Sequence, residues 1–212
     1  MILAAGFSSR MGRDKALLPW PPVAESTPAA NTFLGATIDL LQPFTDLVIV
    51  VAGKNAPAIG PVAYAHGAFL TVNRNPELGQ FSSLQVGVQE VLNHGRDATF
   101  IALIDRPPVL PGTIQQLRES FFYADTDVWA VVPEFKRGSE TAHGHPILAG
   151  REMIQVFLQA PATANARDIE HQFQRHIKYI AIDDPRLGMN VDTPEQYARL
   201  ASTEMISSEK RF

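Results

Sequence analysis

The sequence predicts an α/β fold with three layers, in which a mainly parallel β-sheet lies between two layers of helices. Short apolar runs rich in β-branched residues alternate along the chain with longer amphipathic stretches, which is the order of a repeated strand–helix unit. Most of these runs are apolar almost throughout, as is typical of strands that are covered on both faces. The 212 residues, 45% of them hydrophobic, suit one globular domain with a sizeable core.

The apolar runs predict six strands in the order of the chain. These strands are residues 1–4, 47–52, 69–72, 98–104, 128–132 and 177–182. Four stretches between them repeat apolar residues every three or four positions, as amphipathic helices do. The apolar faces of these four helices are Leu34, Ile38 and Leu41; Leu84, Val88, Val91 and Leu92; Ile114, Leu117 and Phe121; and Met153, Val156 and Phe157.

The last helix has the clearest start. Thr193 is expected as its N-cap, with Pro194 at the first helical position and Gln196 at the third, which together form a capping box. We therefore expect a single domain over residues 1–201 and a frayed polar tail over 202–212. The proline-rich segment 21–30, PPVAESTPAA, is predicted to be a surface loop.

Composition excludes several classes of function. The formal charge of −4 does not favour binding to nucleic acid or to an anionic membrane. The absence of cysteine excludes disulfides, thiolate zinc sites and cysteine nucleophiles. No apolar run of about 18 residues and no signal-peptide pattern is present, so the expected location is the cytoplasm.

The segment LAAGFSSRMGRDK, residues 3–15, combines glycine, serine and cations directly after the first predicted strand. In a parallel sheet, ligands bind at the loops that follow the carboxyl ends of the strands. Gly6 and Gly12 allow backbone amides to converge on an anion, and Ser8 adds a hydroxyl donor. Arg10 can bind two phosphate oxygens, and Lys15 adds a point charge. The alternative is a basic turn that leads into a helix.

One acidic residue stands at a position that suits a metal ion, and a second has no evident local role. Asp105 directly follows the apolar run FIALI, so it is expected at the same rim of the sheet as the glycine-rich loop. Asp192 comes just before the capped helix, and Thr193 already supplies the cap. Magnesium takes one or two carboxylates from a protein and offsets charge on phosphates. The alternative is that both carboxylates merely cap local structure.

Five segments of the chain resemble, in order, the motifs of the MobA-like NTP transferase family, in particular its molybdopterin cytidylyltransferase branch. The first, LAAGFSSRMGRDKALLP, is similar to the signature LAAGxSxRMGxxK. Asn73 and the following RNPELGQFSSL resemble the N…GxxxSL segment, and Asp105 with Pro107 resembles the DxP motif. GHPIL, which contains His145, resembles GHPxL, and NVDTPEQY resembles DxDTPEDY.

The resemblance implies a Rossmann-like sheet of the nucleotide-diphospho-sugar transferase type and a set of site residues. It implies catalytic roles for Arg10, Lys15 and Asp105, and Mg²⁺ as a cofactor bound by Asp105 and Asp192. The nucleotide-binding residues that it implies are Leu3, Ala4, Ala5, Gly6, Ser8, Arg10, Gly12, Lys15, Asn73, Gly79, Ser82 and Ser83. His145 and Arg167 are implied in acceptor binding. Ala4 and Ala5 stand where guanylyltransferase relatives carry glycines, which favours CTP over GTP.

The implied reaction transfers CMP from an NTP to a phosphorylated acceptor, by resemblance molybdopterin, and releases pyrophosphate. An acceptor phosphate is already ionised near neutral pH, so no protein general base is required. A molybdoenzyme is a further expected partner. Two alternatives remain: a sugar-phosphate or polyol-phosphate acceptor, and a non-catalytic cofactor-binding chaperone, which Arg106 beside Asp105 would favour.

Overall fold

The computed structural model describes residues 1–22 and 31–200. The predicted loop 21–30 lies outside the described residues from position 23 onward, and the predicted tail 202–212 lies outside them entirely. The strands are β1 (Ile2–Leu3), β2 (Pro19–Trp20), β3 (Asn31–Thr32), β4 (Ile49–Ala52), β5 (Phe69–Val72), β6 (Ala98–Leu103), β7 (Ala130–Arg137), β8 (Glu140–His143), β9 (Ile147–Gly150) and β10 (Ile177–Ala181). The α-helices are α1 (Phe33–Leu41), α2 (Ala56–Ala65), α3 (Gln80–Asn93), α4 (Pro111–Phe122), α5 (Arg151–Gln159), α6 (Ala166–Gln172) and α7 (194–200).

Eight of these strands form one sheet in the order β10-β7-β9-β6-β1-β4-β5, with β8 paired to the second half of β7. The pairs β1–β4, β1–β6, β4–β5 and β7–β10 are parallel. Strand β9 runs antiparallel to both of its neighbours, and β8 runs antiparallel to β7. The separate pair β2–β3 is antiparallel.

The predicted helix faces lie in two cores, one on each side of the sheet, which confirms the three-layer prediction. Helices α1, α2 and α4 supply one core, in which Leu34, Ile38 and Leu117 are fully or almost fully buried. Helices α3, α5 and α6 supply the other core, which contains Val88 and Phe157. The predicted strands 1–4, 47–52, 69–72, 98–104 and 177–182 all appear, with ends shifted by up to two residues.

Several elements differ from the sequence prediction. The run predicted at 128–132 begins at Ala130 and continues to Arg137, because it pairs with β8 as a hairpin. Strand β9 and helices α2 and α6 were not expected. Helix α2 contains Pro57, Gly60 and Pro61, residues that weaken a helical pattern. Strand β5 is apolar but lies at the sheet edge, and Val72 on it is exposed.

A third, smaller cluster joins the beginning of the chain to its last described helix. Met11, Leu18 and Phe33 pack there with Val191 and Tyr197. The predicted capping box of α7 is present. The N–H of Gln196 donates to Thr193 Oγ1 at 3.4 Å, and the N–H of Thr193 donates to Gln196 Oε1 at 3.2 Å. The cluster therefore holds the segment that carries Asp192 against the segment that carries Lys15.

No helix among residues 1–22 and 31–200 combines the length and the apolar character that crossing a lipid bilayer requires.

Candidate functional site

The candidate site lies at the carboxyl ends of three adjacent parallel strands, β4, β1 and β6. Leu3 is in register with Val51 on one side and with Leu103 on the other. Ile104, the residue after β6, donates its N–H to Leu3 O at 3.1 Å. The glycine-rich loop after β1 and Asp105 after β6 consequently start next to each other, as the sequence predicts for a parallel sheet.

The glycine-rich loop turns twice through left-handed backbone conformations. Gly12 has φ = +72°, as expected for a position that favours glycine, but the other left-handed residue is Ser8, with φ = +49°. Gly6, which was predicted to provide that freedom, does not have a positive φ. The turn is closed by a bond from Met11 N–H to Ser8 O at 3.0 Å. Ser8 Oγ accepts a further bond from Lys15 N–H at 3.2 Å, which leaves the hydroxyl proton as a donor.

A cavity of about 310 Å³ opens between this loop, the end of β6 and the start of α3. Eight of the predicted site residues line it: Leu3, Ala5, Gly6, Ser8, Lys15, Gly79, Ser83 and Asp105. Phe7, Pro76, Gln80 and Ile104 line it as well, and no motif had singled them out. The first backbone N–H groups of α3 have no partner inside the helix, and the helix dipole adds positive potential there. The cavity can therefore bind anionic and polar groups along two of its walls.

A backbone hydrogen bond joins Asp105 to the segment just before Asp192. Val191 N–H donates to Asp105 O at 2.8 Å, which brings the segment before α7 to the end of β6. Asp105 Oδ1 is buried and accepts no hydrogen bond from any described residue. Asn190 Oδ1, one position before Val191, is buried and unpartnered in the same way. Two oxygen acceptors next to this bond thus lack donors, although a buried acceptor normally has one.

Asp192 is held by the cations of the glycine-rich loop. Lys15 Nζ donates to Asp192 Oδ1 at 2.6 Å, and Arg10 Nη2 lies 3.2 Å from the same oxygen. The side chains of Lys15 and Asp192 are 11% and 16% exposed, whereas that of Arg10 is 70% exposed. The hydrogen bond from Lys15 is the main cause that holds the pKa of Asp192 below its usual value. The charge of Arg10 and a hydrogen bond from the side-chain amide of Asn190 lower the pKa further.

Asn73 and Ser82 lie behind the cavity wall, where they organise it. Asn73 is 3% exposed, and its Nδ2 donates to Ser82 Oγ at 2.8 Å and to Ser83 Oγ at 2.9 Å. Its Oδ1 accepts from Asn75 N–H at 2.9 Å. Ser82 Oγ lies 2.7 Å from Gly79 O, to which it donates. Asn73, Gly79, Ser82 and Ser83 were all predicted to bind nucleotide. Of these four residues, Gly79 and Ser83 line the cavity.

The predicted acceptor residues do not line this cavity. His145 Nδ1 lies 3.3 Å from Ile101 O, and the ring borders a separate, small cavity that Arg106 also lines. Burial lowers the pKa of His145 to about 4, and the charge of Arg106 adds to that effect, so the ring is neutral near neutral pH. Arg167 is exposed in the first turn of α6, which begins at an Asn165 cap.

The guanidinium of Arg106 binds backbone carbonyl groups. Its Nη1 donates to Met189 O at 3.2 Å and to Leu187 O at 3.4 Å. It therefore supports the segment that leads to Asp192, and it offers no cation to the 310 Å³ cavity, which it does not line. The sequence alone could not distinguish this role from phosphate binding, because both require a cation at the end of the strand.

One polar residue that sequence reasoning missed, Asn55, ties the glycine-rich loop to the next loop of the rim. Asn55 follows β4 and donates to Ala4 O and to Asp14 Oδ2. A second cavity, of about 480 Å³, lies between these two loops and shares the wall Ala5–Ser8 with the first cavity. The available signal was the position of Gly53-Lys-Asn at the carboxyl end of an apolar strand, the same position that drew attention to Asp105.

The chain is similar to known proteins over almost its whole length. The sequence profile of the MobA-like NTP transferase domain matches residues 1–177. The molybdenum cofactor cytidylyltransferase of Escherichia coli (strain K12) is 26% identical over 199 residues, which cover 93% of this chain and 92% of that protein. The molybdenum cofactor guanylyltransferase of Xanthomonas euvesicatoria pv. vesicatoria (strain 85-10) is 28% identical over 208 residues, with coverage of 94% and 92%. The crystal structure of Rv0371c from Mycobacterium tuberculosis H37Rv superposes with a TM-score of 0.75 at 25% identity and covers 95% of this chain and 96% of that one.

Proposed function

Because the chain belongs to the MobA-like NTP transferase family and is a nucleotidyltransferase of that type, we propose that it transfers CMP from CTP to a phosphorylated acceptor of the molybdopterin type. The observation that carries this proposal is that Lys15 and Asp105 line one cavity, while Lys15 also pairs with Asp192, which Arg10 contacts as well. A triphosphate needs cations around its oxygens, and a nucleotidyl transfer needs the developing charge on the α-phosphate and on pyrophosphate to be offset.

The site fits a magnesium ion by the chemistry of its oxygen atoms. Within the described part of the chain, no donor reaches the buried acceptor Asp105 Oδ1, and the same holds for Asn190 Oδ1 nearby. Asp105 and Asp192 would hold the ion, in keeping with the one or two carboxylates that magnesium usually takes from a protein. When bound, the ion supplies positive charge to the phosphate oxygens. Asp192 would have to exchange its bonds to Lys15 and Arg10 for this role, since both cations now share its Oδ1.

The residues of the chain would bind and orient the reactants. Lys15 and Arg10, once released from Asp192, would contact the triphosphate, with the backbone amides of residues 6–12 around it. The first turn of α3 and the hydroxyl of Ser83 would contact the nucleoside. An oxygen of the acceptor phosphate would form a bond to the α-phosphorus. The bond between the α-phosphorus and the oxygen that bridges it to the β-phosphorus would break, and pyrophosphate would leave with that electron pair.

No protein group is needed to remove a proton from the acceptor, because a phosphate monoester is already ionised near neutral pH. This agrees with His145, which is neutral and lies outside the 310 Å³ cavity. The choice of CTP is supported by Ala5, whose methyl group lines the cavity wall at a position where the resemblance places glycine in guanylyl-transferring relatives. The two curated relatives, one cytidylyl- and one guanylyltransferase, are similar to the chain to almost the same extent.

The test is a pyrophosphate-release assay with each of the four NTPs, Mg²⁺ and molybdopterin. The expected result is turnover with CTP that Asp105→Asn lowers about 100-fold or more, because several kcal/mol of charge stabilisation are lost. Asp97→Asn is the matched control, since Asp97 is an exposed carboxylate paired with Arg151 outside the site. Undiminished turnover in Asp105→Asn would refute the assignment of Asp105.

Other acceptors and a second class of function are separated in the same experiment. Turnover with a sugar phosphate or a polyol phosphate, and none with molybdopterin, would replace the acceptor that we propose. Tight binding of CTP and molybdopterin without pyrophosphate release would instead favour a non-catalytic cofactor-binding chaperone.

A further inference from the structure

Both the nitrogen and the oxygen of the Asn55 side chain are hydrogen-bonded, and the bonds go to the glycine-rich loop or to its own turn. Nδ2 donates to Ala4 O at 2.9 Å and to Asp14 Oδ2 at 2.7 Å. Oδ1 accepts from Gly53 N–H at 3.0 Å. Ala4 and Asp14 are the two ends of the loop, so a single side chain from the loop after β4 bridges its entrance and its exit.

The bond to Asp14 connects Asn55 to the turn that contains Lys15. The second oxygen of Asp14, Oδ1, accepts from Ala16 N–H at 2.9 Å and caps the 3₁₀ turn Lys15–Leu17. Asn55 therefore acts on the cation next to Asp14 through a carboxylate that is bonded on both of its oxygens. Inside the loop itself, the described bonds are those that Ser8 accepts from Met11 and Lys15.

Close backbone contact adds to this tie between the loops. A Cβ atom on Gly53 would lie 2.8 Å from the carbonyl oxygen of Ala5, closer than side chains approach a backbone oxygen. The turn that carries Asn55 is consequently pressed against the start of the glycine-rich loop. Asn55 also lines the 480 Å³ cavity on the side of the loop away from Asp105.

We propose that Asn55 is a positioning residue that holds loop 4–14 in the conformation that binds the triphosphate. This inference rests on the proposed function for its ligand, but the loop-holding part of it does not. Asparagine suits the position because two acceptors, a carbonyl and a carboxylate, face one NH₂ group, while the amide stays neutral. Aspartate in its place would have the same shape, would lose both donors and would set a second negative charge against Asp14.

The first experiment measures how often the loop opens, without any ligand. Trypsin cleaves after Arg10, which is exposed, and mass spectrometry follows the appearance of the new terminus at Met11. Asn55→Asp is expected to be cut at this bond about tenfold faster than the wild type, because two hydrogen bonds, one of them to a carboxylate, no longer oppose local opening. Asn165→Ala is the control: it removes an asparagine side-chain bond at the start of α6 and should leave cleavage at Arg10 unchanged.

The second experiment measures affinity for inorganic triphosphate by calorimetry in the same proteins. Asn55→Asp is expected to bind about tenfold more weakly than the wild type, and Asn165→Ala equally well. The double variant Asp14→Asn/Asn55→Asp should recover part of both effects, because the new amide can donate to the new carboxylate. Its recovery should be incomplete, since the bond to Ala4 O stays lost.

The outcomes separate this inference from the proposed function. Cleavage of Asn55→Asp at the wild-type rate, or a double variant that is cut as fast as the single one, would overturn the role of Asn55. If Asn55→Asp does not fold, Asn55→Ala removes the same donors without an added charge, and its cleavage rate decides. If the wild type binds no triphosphate, the proposed function fails, and the protease comparison still decides whether Asn55 holds the loop.

Discussion

Replacing Asp192 by asparagine tests the ion pair that now occupies the candidate site. The substitution keeps the shape of the side chain and removes the charge that Lys15 Nζ meets at 2.6 Å. A hydrogen bond to a charged group contributes about 1.5–3 kcal/mol, and the highly exposed Arg10 adds at most about 1 kcal/mol. Because the buried Lys15 also loses its counter-ion, we expect the free energy of unfolding to fall by about 2 kcal/mol in the absence of ligand.

The pH dependence of this difference follows from the lowered pKa of Asp192. A carboxyl group whose pKa is lower in the folded chain stabilises the fold above its unfolded pKa, and this contribution is lost as the pH falls through the folded value. The difference between the wild type and Asp192→Asn should therefore be constant above about pH 5 and shrink below about pH 4. Urea unfolding at a series of pH values measures it.

The same substitution should change ligand binding in the opposite direction. In Asp192→Asn, Lys15 and Arg10 no longer pair with a carboxylate and are free to bind phosphate. With metal ions removed by EDTA, this variant should bind inorganic triphosphate more tightly than the wild type. The affinity should rise about tenfold for each 1.4 kcal/mol that the ion pair contributes in the wild type. Asp97→Asn is the control. The side chains of Asp97 and its partner Arg151 are 66% and 49% exposed, so this ion pair should contribute less than about 1 kcal/mol. Equal stability of the two variants, or weaker binding of metal-free triphosphate by Asp192→Asn, would refute the reasoning.

Two further predictions concern the packing of the loops and the buried titratable groups. Gly53→Ala should lower the free energy of unfolding, measured by urea titration, by about 1–3 kcal/mol and weaken triphosphate binding, because the new Cβ would press on Ala5 O. Gly112→Ala is the control: in helix α4 its Cβ would meet no described atom within 4 Å, so the free energy of unfolding should be unchanged or higher. The pKa of His145 is lowered from 6.5 to about 4, so its contribution makes stability fall as the pH is lowered through that window, by up to about 3 kcal/mol. The pKa of Glu170 is raised by burial from 4.5 to about 7, so its contribution makes stability fall as the pH rises through that window, to a similar extent. The two contributions oppose each other, so the stability difference between the wild type and His145→Asn should increase with rising pH, and the difference between the wild type and Glu170→Gln should decrease. Unfolding curves between pH 4 and 8 that are parallel in all three proteins would contradict both assignments.

Much of the architecture could be predicted from local sequence, because it depends on neighbours in the chain. The helix faces follow from spacings of three and four residues, and the buried strands follow from continuous apolar runs. The capping box of α7 depends on Thr193 and Gln196, three positions apart, and it is present with both of its bonds. The location of the candidate site was likewise predictable, since loops after parallel strands meet at one rim and both the glycine-rich loop and Asp105 directly follow such strands.

Pairings between distant segments were decided only by the tertiary structure. Strand β9 enters the sheet antiparallel between β6 and β7, although four apolar residues carry no signal of direction. The sequence placed Lys15 and Asp192 in one site only through motif resemblance, whereas their bond joins residues 177 positions apart. Asn73 reads as a ligand-binding residue in its motif, yet it is buried as a bridge between two serines.

The sequence by itself therefore determined the layers, the helix faces and the rim at which the charged residues gather, because periodicity and strand order are local properties. The tertiary structure decided which of those residues face the cavity, which ones pair with each other, and that Asn55 ties the loop at both ends. Hydrogen bonds and burial at these positions depend on atoms that the chain brings together only after the sheet has closed, and spacing along the sequence does not encode those contacts.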